Sequence, residues 1–490
     1  MKLTYGVTDR PSIGKTAIFA FQQLLAILAA TIAVPAIIGH GMSQSAALFG
    51  AGVGTIVYLV LTKFRSPVFL GSSFAFLGSM GAAFSGAVGA SVGYLGLIIG
   101  AAGAALVYVI IAVVSKFVGT AWIFKIMPKV VIGPTVAIIG LSLAGNAIGD
   151  LTTGSVYDEF GNVVANWGVC LVCGLVTLFV TIICSVFGKK TLKMIPFIVG
   201  IGAGYAVAAI LTAIGNGTGA DAIRIIDFSK FQNIQWLPDF TFLTAFSGNY
   251  DFGEFGSFGP YLLSVLVAYV PVAFVVFTEH VADHRNLGDI IGVHLLRNDP
   301  GLSRTLLGDG LGSAVGAFFG GCPNTTYGES VACVAISGNA SVVTTFATAI
   351  LAIVVSFFGP FITLLATIPN CVMGGVCIAL YGFIAVSGLK MIQKVDLEDN
   401  RNLFVVSVIL IAGVGGLTLH FGNITITEVA CALILGILVN TMVRIGDKDY
   451  YKTESASDAA ASAGEAPEEA PAEEAEEEAP EAETEPTIEE

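Results

Sequence analysis

Four carboxylates fall within long apolar stretches of this 490-residue sequence. Glu329 opens an apolar segment directly after a helix-breaking stretch at 323–328, and Glu279 and Asp283 stand four residues apart, so that one helix face would carry both. Asp309 lies in a further apolar stretch. An ionisable residue at membrane depth is costly, and it is a functional candidate by default. Because no Lys or Arg accompanies these carboxylates at the same apparent depth in the spans, they predict a site for a neutral ligand that donates hydrogen bonds, not for an anion.

The segment around Glu329 has a counterpart in the first half of the chain. Residues 72–76 and 325–329 share two small hydroxyl residues, an aromatic residue and a small residue in the same order. Short segments interrupted by Gly or Pro at matching places in two halves indicate a transporter site near the bilayer midplane. The unpaired amides at two half-helix N-termini would then face one point. Phe74, Phe76 and Tyr327 are candidates for an apolar wall there, and packing in the protein core is the alternative for these aromatic residues. A nucleobase fits this description, and two kinked packing helices are the structural alternative.

The composition places these segments in a membrane protein. The chain is 55% hydrophobic and 12% charged, with mean hydropathy +0.84, which excludes a soluble domain of this size. Apolar runs of spanning length recur along it. The predicted spans are 17–38, 44–62, 69–86, 92–114, 127–148, 166–187, 195–214, 261–286, 303–320, 323–338, 341–357, 371–386, 402–419 and 425–443.

Fourteen spans put both termini on one side of the membrane. Most Lys and Arg residues fall on that side if the spans alternate, so the positive-inside rule predicts cytoplasmic termini. Residues 453–490 hold 15 acidic and no basic residues, and this composition predicts a disordered tail. Residues 128–133 resemble 369–374 in the same order as the first pair of segments, which favours a 7+7 inverted repeat.

At these motifs the chain resembles the nucleobase–ascorbate transporters, and among them the bacterial uracil permeases, over residues 5–445. The motifs that carry the resemblance are Gly71-Ser72-Ser73-Phe74-Ala75-Phe76, Glu279-His280, Gly308-Asp309-Gly310, Pro323-Asn324-Thr325-Thr326-Tyr327-Gly328-Glu329 and Leu380-Tyr381-Gly382.

The resemblance implies an all-α polytopic fold whose spans 3 and 10 begin with short strands. A core domain (1–121 and 256–358) would move against a gate domain (122–255 and 359–446), with a tail at 447–490 and a homodimer formed through the gates. It implies a proton symporter that imports uracil across the bacterial inner membrane by an elevator-like motion, without a cofactor, a catalytic activity or a nucleic-acid partner.

The resemblance also assigns the site. Glu279 and Glu329 would hold the base, and the backbone N–H groups of Phe74 and Gly328 would meet its carbonyl oxygens, with Ala75 and Tyr327 beside them. Two further residues, Asp309 and Tyr381, would have structural or gating roles.

Two departures from the family pattern affect the interpretation. Ser330 stands where the family usually has Asn, and Asp283 stands where uracil permeases often have His. Burial and a nearby carboxylate both disfavour a charged carboxylate, so Glu279 and Asp283 are predicted to share the coupling proton. Sodium coupling remains open, as does pairing of Asp283 with Arg285. His280 and His284 are expected at the membrane interface.

The alternatives within and outside the family stay open at this point. A xanthine or other purine permease is the alternative within the family, although such members tend to carry Gln-Asn in place of Glu329-Ser330. A channel or an anion exchanger on the same architecture is the alternative from another class, and the carboxylates argue against it.

Overall fold

The structure, a computed structural model, describes residues 3–119, 122, 127–189, 191–232, 234–248, 250–296, 299–421 and 424–445. The predicted tail at 447–490 lies outside these residues. In the described part of the chain the helices are α1 (Ile13–Ile38), α2 (Gln44–Leu61), α3 (Leu77–Ala83), α4 (Ala90–Val118), α5 (Lys129–Ser142), α6 (Ala144–Leu151), α7 (Trp167–Phe187), α8 (Thr191–Met194), α9 (Pro196–Thr218), α10 (Thr241–Ala245), α11 (Phe258–Ile291), α12 (Leu302–Gly320), α13 (Gly328–Ser337), α14 (Val342–Val355), α15 (Gly359–Ala366), α16 (Asn370–Ile392), α17 (Asn400–Val414) and α18 (Glu428–Val443). The strands are β1 (Leu70–Ser72), β2 (Asn324–Thr326), β3 (Leu419–Phe421) and β4 (Ile424–Ile426).

Within the described residues, eight helical segments are long and apolar enough to cross a membrane. They are α1, α2, α4, α5 with α6, α7, α9, α11 and α16. A ninth results if α14 and α15, which meet at an 82° bend, count as one span. The other predicted spans hold the apolar helices Phe74–Ala83, α13, α17 and α18, which are shorter, and α12. The protein is therefore mostly helical and multi-pass, and the count of fourteen spans stays a prediction.

The two interrupted segments begin with short strands that pair with each other. Strand β1 runs antiparallel to β2, with Leu70 opposite Thr326 and Ser72 opposite Asn324. The Ser73 amide extends the pairing by donating to the Pro323 carbonyl oxygen at 2.9 Å. This ladder joins segments that are about 250 residues apart in the sequence, so the half-helices that follow the strands start close together.

The sequence around β2 explains why α12 and α13 are separate helices. Gly321, with φ +74°, ends α12 in a left-handed conformation that other residues rarely adopt. Pro323 follows two residues later and has no N–H to continue a helix. Residues 324–326 are then extended before α13 starts at Gly328.

The glycines of α12 allow two neighbouring helices to approach closely. A side chain at Gly312 would meet the backbone of Gly54 on α2, and one at Gly310 would meet Tyr108 on α4. Small residues are what such close packing requires. The run Gly308-Asp309-Gly310 therefore serves helix packing.

Most helix packing occurs within two groups. In one group α2 packs on α12 and α14, and α4 packs on α12 and α11. In the other α16 packs on α5, α6 and α7, α9 packs on α7, and α17 packs on α18 and α5. Contacts between the groups are sparser, and they include α11 with α18 and α1 with α9.

The N-terminal segment is bound to the chain that follows α13. The Thr4 amide donates to the Gly338 carbonyl oxygen at 2.7 Å, and the Ala340 amide donates to the Tyr5 carbonyl oxygen at 2.9 Å. The start of the chain and the end of α13 therefore lie on the same side of the molecule.

Candidate substrate site

A cavity of about 450 Å³ lies beside the starts of the two half-helices. The sequence-predicted substrate residues that line it are Phe74, Ala75, Glu279, Tyr327, Gly328 and Glu329. Asp283, the predicted partner of Glu279 in proton coupling, lines it too. The structure thus brings all seven residues together from three separate parts of the chain.

The carboxylates enter the cavity from two elements. Glu279 and Asp283 project one turn apart from α11, and Glu329 belongs to the first turn of α13. Carboxylates are stabilised near helix N-termini, where the backbone dipoles leave a partial positive charge. The wall of the cavity therefore carries strong hydrogen-bond acceptors.

Asp283 is held in place by a hydroxyl group. The Oγ1 of Thr326 donates to its Oδ2 at 2.8 Å, and the side chain is 8% exposed. Among the described residues no basic side chain forms an ion pair with it, so the alternative partner Arg285 is wrong.

The aromatic residues divide into two sets. Phe74 and Tyr327 line the cavity, and the Tyr327 hydroxyl donates to the Ser72 carbonyl oxygen at 2.8 Å. Phe76 instead stacks on Tyr269, with ring centroids 5.5 Å apart, so its expected place in the apolar wall is wrong. The reason is that the first turn after β1 directs Phe74 and Phe76 to different neighbours.

Tyr381 contributes indirectly. It lies outside the cavity lining, on α16, and its ring meets the edge of Phe74 with centroids 5.9 Å apart. This contact supports one aromatic wall of the cavity and joins the two packing groups.

Ser330 connects the start of α13 to neighbouring elements. The sequence had shown this residue only as a departure from the family motif. Its Oγ accepts a hydrogen bond from the Nε2 of Gln23 at 3.0 Å and another from the Phe69 amide at 3.1 Å. Thr348 in turn donates to the Oε1 of Gln23 at 2.8 Å. One hydroxyl therefore ties the Glu329 half-helix to α1 and to the chain before β1.

Asp309 lies away from the cavity, in a polar contact between α11 and α12. Its Oδ2 is 2.7 Å from the Nδ1 of His280, whose Nε2 is 3.0 Å from the Oγ1 of Thr305. His280 and His284 are fully buried among the helices and do not lie at the protein surface, and their depth relative to the membrane interface stays a prediction. Asp309 and His280 therefore bond to each other inside the protein and not in the cavity.

The opposite wall of the cavity is apolar. It consists of Val136, Ile139, Phe197, Leu380, Phe383, Ile384 and Met391 from α5, α9 and α16. At one end the lining reaches the exposed residues Asn286, Lys193 and Ser387. The carboxylates of the cavity therefore come from α11 and α13, the apolar wall comes from α5, α9 and α16, and the cavity reaches the protein surface where Asn286, Lys193 and Ser387 lie.

Comparison with known proteins now identifies the family. A family model described as a permease family, Xan_ur_permease, matches residues 14–422. The chain belongs to this family, the nucleobase–ascorbate transporters.

Named relatives cover nearly the whole chain. It is 37% identical to a uracil permease of Bacillus caldolyticus over 443 residues, which are 89% of this chain and 94% of the relative. It is 35% identical to the uracil permease of Bacillus subtilis (strain 168), covering 90% and 95%, and 32% identical to that of Escherichia coli (strain K12), covering 90% and 94%. These relatives are named as transporters, and none of the names indicates an enzyme.

Solved structures share the fold at low sequence identity. The transmembrane domain of the cyanobacterial bicarbonate transporter BicA has a TM-score of 0.58 at 18% identity, covering 90% of this chain and 99% of that one. The murine anion transporter Slc26a9 in its inward-facing state has a TM-score of 0.60 at 12% identity, covering 90% and 69%. These similarities concern the fold alone.

Proposed function

We propose that this protein imports uracil by binding it in the cavity between the two half-helices. One observation carries the proposal: Glu279, Glu329 and the first residues of both half-helices line the same cavity. The named uracil permeases, 32–37% identical over about nine-tenths of the chain, support the choice of substrate.

Uracil offers the groups that this cavity complements. Its two ring N–H groups would donate to Glu279 and Glu329, which as carboxylates only accept hydrogen bonds. Its carbonyl oxygens would accept from the amides of Phe74 and Gly328, since the first amides of a helix have no acceptor within the helix. Phe74 and Tyr327 would contact the flat ring, and the small side chain of Ala75 leaves room for it.

The same geometry argues against an anionic substrate. An anion would meet three carboxylates, and the single basic residue among the lining residues, Lys193, lies at the exposed end. Xanthine also carries ring N–H donors that would suit Glu279 and Glu329. The preference for uracil over purines therefore has to be measured.

The packing groups suggest how the site is carried across the membrane. The polar wall would move as a core domain, residues 1–121 and 256–358, against a gate domain, residues 122–255 and 359–446, that supplies the apolar wall. An apolar gate surface suits sliding because it holds no hydrogen bonds that each cycle must break. The positive-inside rule makes the exposed end of the cavity cytoplasmic, with both termini on that side, in an inward-facing protein of the bacterial inner membrane. In this proposal two copies of the chain associate through their gate domains.

Coupling is assigned to Glu279 and Asp283 on α11. The groups that face them are Glu329 from α13 and the Thr326 hydroxyl from β2, with Lys193 at the exposed end. Several buried carboxylates in one cavity disfavour full ionisation, and uracil in contact with Glu279 would change which of them holds a proton. We therefore assign proton symport, with sodium coupling as the alternative that the experiments must separate.

The substrate assignment is tested by competition for uptake. Cells that lack their own uracil carriers would express the protein and take up labelled uracil in the presence of unlabelled uracil, thymine, cytosine, xanthine, hypoxanthine or bicarbonate. Uracil is expected to compete most strongly, and bicarbonate is expected to have no effect. Stronger competition by xanthine than by uracil would overturn the assignment.

A further inference from the structure

Residues 3–9, which we call the strap, run beside residues 338–342, which link α13 to α14. Five hydrogen bonds of 2.6–3.2 Å join the two segments. They run from the amides of Thr4 and Tyr5 to the Gly338 carbonyl oxygen, from the amides of Ala340 and Val342 to the carbonyl oxygens of Tyr5 and Val7, and from the Ser341 hydroxyl to the Asp9 carbonyl oxygen. The strap is therefore part of the structure around the end of α13.

The strap supplies partners that the link between the two helices lacks. Gly338, with φ +66°, ends α13, and the first amides of α14 have no acceptor within that helix. Ala340 and Val342 are buried, and a buried backbone amide without an acceptor is costly. Because carbonyl oxygens of the strap accept from both amides, the strap completes the hydrogen bonding of this link.

The strap also has apolar contacts near the half-helix that carries Glu329. Leu3 and Val7 pack against a buried cluster that includes Val331 and Val334 of α13. Leu70 of β1 belongs to the same cluster. The strap and α13 therefore bury apolar side chains in one place, and a polar group introduced there would disturb both.

The strap is bonded to α1 as well. The Nζ of Lys15 donates to the Tyr5 hydroxyl at 2.9 Å, and the Tyr5 ring meets Phe19 edge to face, with ring centroids 6.2 Å apart. Further along α1, Gln23 bonds Ser330 in the first turn of α13. The N-terminal part of the chain thus holds α13 at both ends, through Gln23 at its start and through the strap at its end.

We infer that the strap is a positioning element of the substrate site, which fixes the place of α13 and with it the Glu329 carboxylate. The inference rests on the proposed function and extends it to residues outside the cavity, since no residue of the strap is part of the lining. Helix α13 has 10 residues, and a helix this short depends on its contacts with the rest of the protein. Without the strap, α13 is expected to open more often and to hold Glu329 less well.

The test introduces a charge into the strap with Val7→Asp, in the full chain. Thr8→Asp is the matched control, because it adds the same charge at the next residue, which is exposed. Ser341→Ala removes only the bond to the Asp9 carbonyl oxygen and is the milder variant if Val7→Asp fails to fold. Titration calorimetry would measure uracil binding to the purified proteins, and mass spectrometry would follow amide hydrogen exchange in α13 without uracil. Both strap variants would also be combined with Glu329→Gln.

Val7→Asp is expected to speed amide exchange in α13 and to weaken uracil binding roughly 2- to 12-fold, the effect of losing about one hydrogen bond. Thr8→Asp should change neither. In combination with Glu329→Gln, the strap variant should weaken binding by a smaller factor, because the carboxylate that the strap positions is absent. A residue that merely stabilised the whole protein would weaken binding by the same factor in both backgrounds.

Two results would overturn the inference and leave the proposed function in place. One is unchanged amide exchange of α13 in both strap variants. The other is an equal loss of uracil affinity with and without the Glu329 carboxylate. A third result, no uracil binding by the folded wild-type protein, would overturn the proposed function and the inference with it, and so the two failures can be distinguished.

Discussion

At the scale of single residues, Ser330 connects the substrate site to the rest of the fold. Its hydroxyl oxygen accepts from Gln23 and from the Phe69 amide, and all three groups are buried. Ser330→Ala would leave two buried donors unpaired, at a cost of about 1–3 kcal/mol each. The melting temperature of the purified protein is expected to fall, and uracil binding is expected to weaken because Glu329 is the adjacent residue.

The matched control for this prediction is Ser356→Ala. Ser356, the residue after α14, is also buried, but its hydroxyl bonds only the Ile353 carbonyl oxygen of the preceding turn, at 2.7 Å. A melting temperature for Ser330→Ala equal to that of Ser356→Ala would show that the network around Ser330 contributes nothing to stability.

Asp283 provides a residue-scale test of coupling. The wild-type protein is expected to take up uracil faster at acidic external pH, because protons that enter with the substrate drive import. Asp283→Asn keeps an acceptor for the Thr326 hydroxyl but cannot exchange a proton. We expect uptake by the variant to lose most of its pH dependence while uracil binding changes little.

Asp289→Asn on the exposed end of the same helix is the control and should keep the wild-type profile. Retention of that profile by Asp283→Asn would contradict the coupling scheme. So would uptake that a sodium ionophore abolishes and a protonophore does not.

Residue types alone located the carboxylates but not their partners. Glu279, Asp283 and Glu329 stand out because charged residues are rare within apolar segments. The bond between Gln23 and Ser330 joins residues 307 positions apart, and no periodicity or spacing in one sequence indicates such a pair. The contact of His280 with Asp309 was missed for the same reason, since it depends on how closely α11 and α12 approach.

At the scale of elements, the paired segments must share one substrate. Cysteine in place of Ala75 and of Gly328, tested one at a time, should react with a small thiol reagent and should be protected by uracil. The background needs Cys333→Ala, because Cys333 itself lines the cavity, whereas the other seven native cysteines are buried and lie outside the lining. Labelling would be followed by mass spectrometry.

Gly217→Cys serves as the control because Gly217 is exposed near the end of α9, and uracil should not protect it. If uracil protected only one of positions 75 and 328, the two half-helices would not share a site.

The sequence indicated these elements to different degrees. The breaks before α3 and α13 were visible as Gly, Ser and Pro residues between apolar runs. The bend between α14 and α15 was missed, although Gly359-Pro360 stands at it and proline disfavours a helical conformation in the residue before it. The bond between the N-terminal segment and the chain after α13 was also missed, because backbone pairing of two polar segments leaves no pattern in side chains.

At the scale of the whole molecule, the proposed motion predicts that a single cross-link between the domains stops transport. A side chain at Gly78 on α3 would place its Cβ 4.0 Å from the Cβ of Thr427, the residue before α18. This separation suits a disulfide. The double variant Gly78→Cys with Thr427→Cys is expected to lose uptake after oxidation and to regain it after reduction, while uracil still binds in detergent.

Each single cysteine variant controls for effects of the substitutions and of the oxidant. Full uptake by the oxidised double variant, with the disulfide verified by mass spectrometry, would mean that α3 and α18 do not separate during transport.

Uracil binding to the purified protein is the measurement that shows whether Glu329 holds uracil in this cavity. Replacing the carboxylate in Glu329→Gln removes a charge-assisted hydrogen bond worth roughly 1.5–3 kcal/mol and adds an NH₂ donor where the ring already donates. We predict that calorimetry will show uracil binding weakened by about 10- to 150-fold. The control Glu398→Gln, at an exposed loop position, should bind as the wild-type protein does. Equal uracil affinity of Glu329→Gln and the wild-type protein would show that Glu329 does not hold uracil.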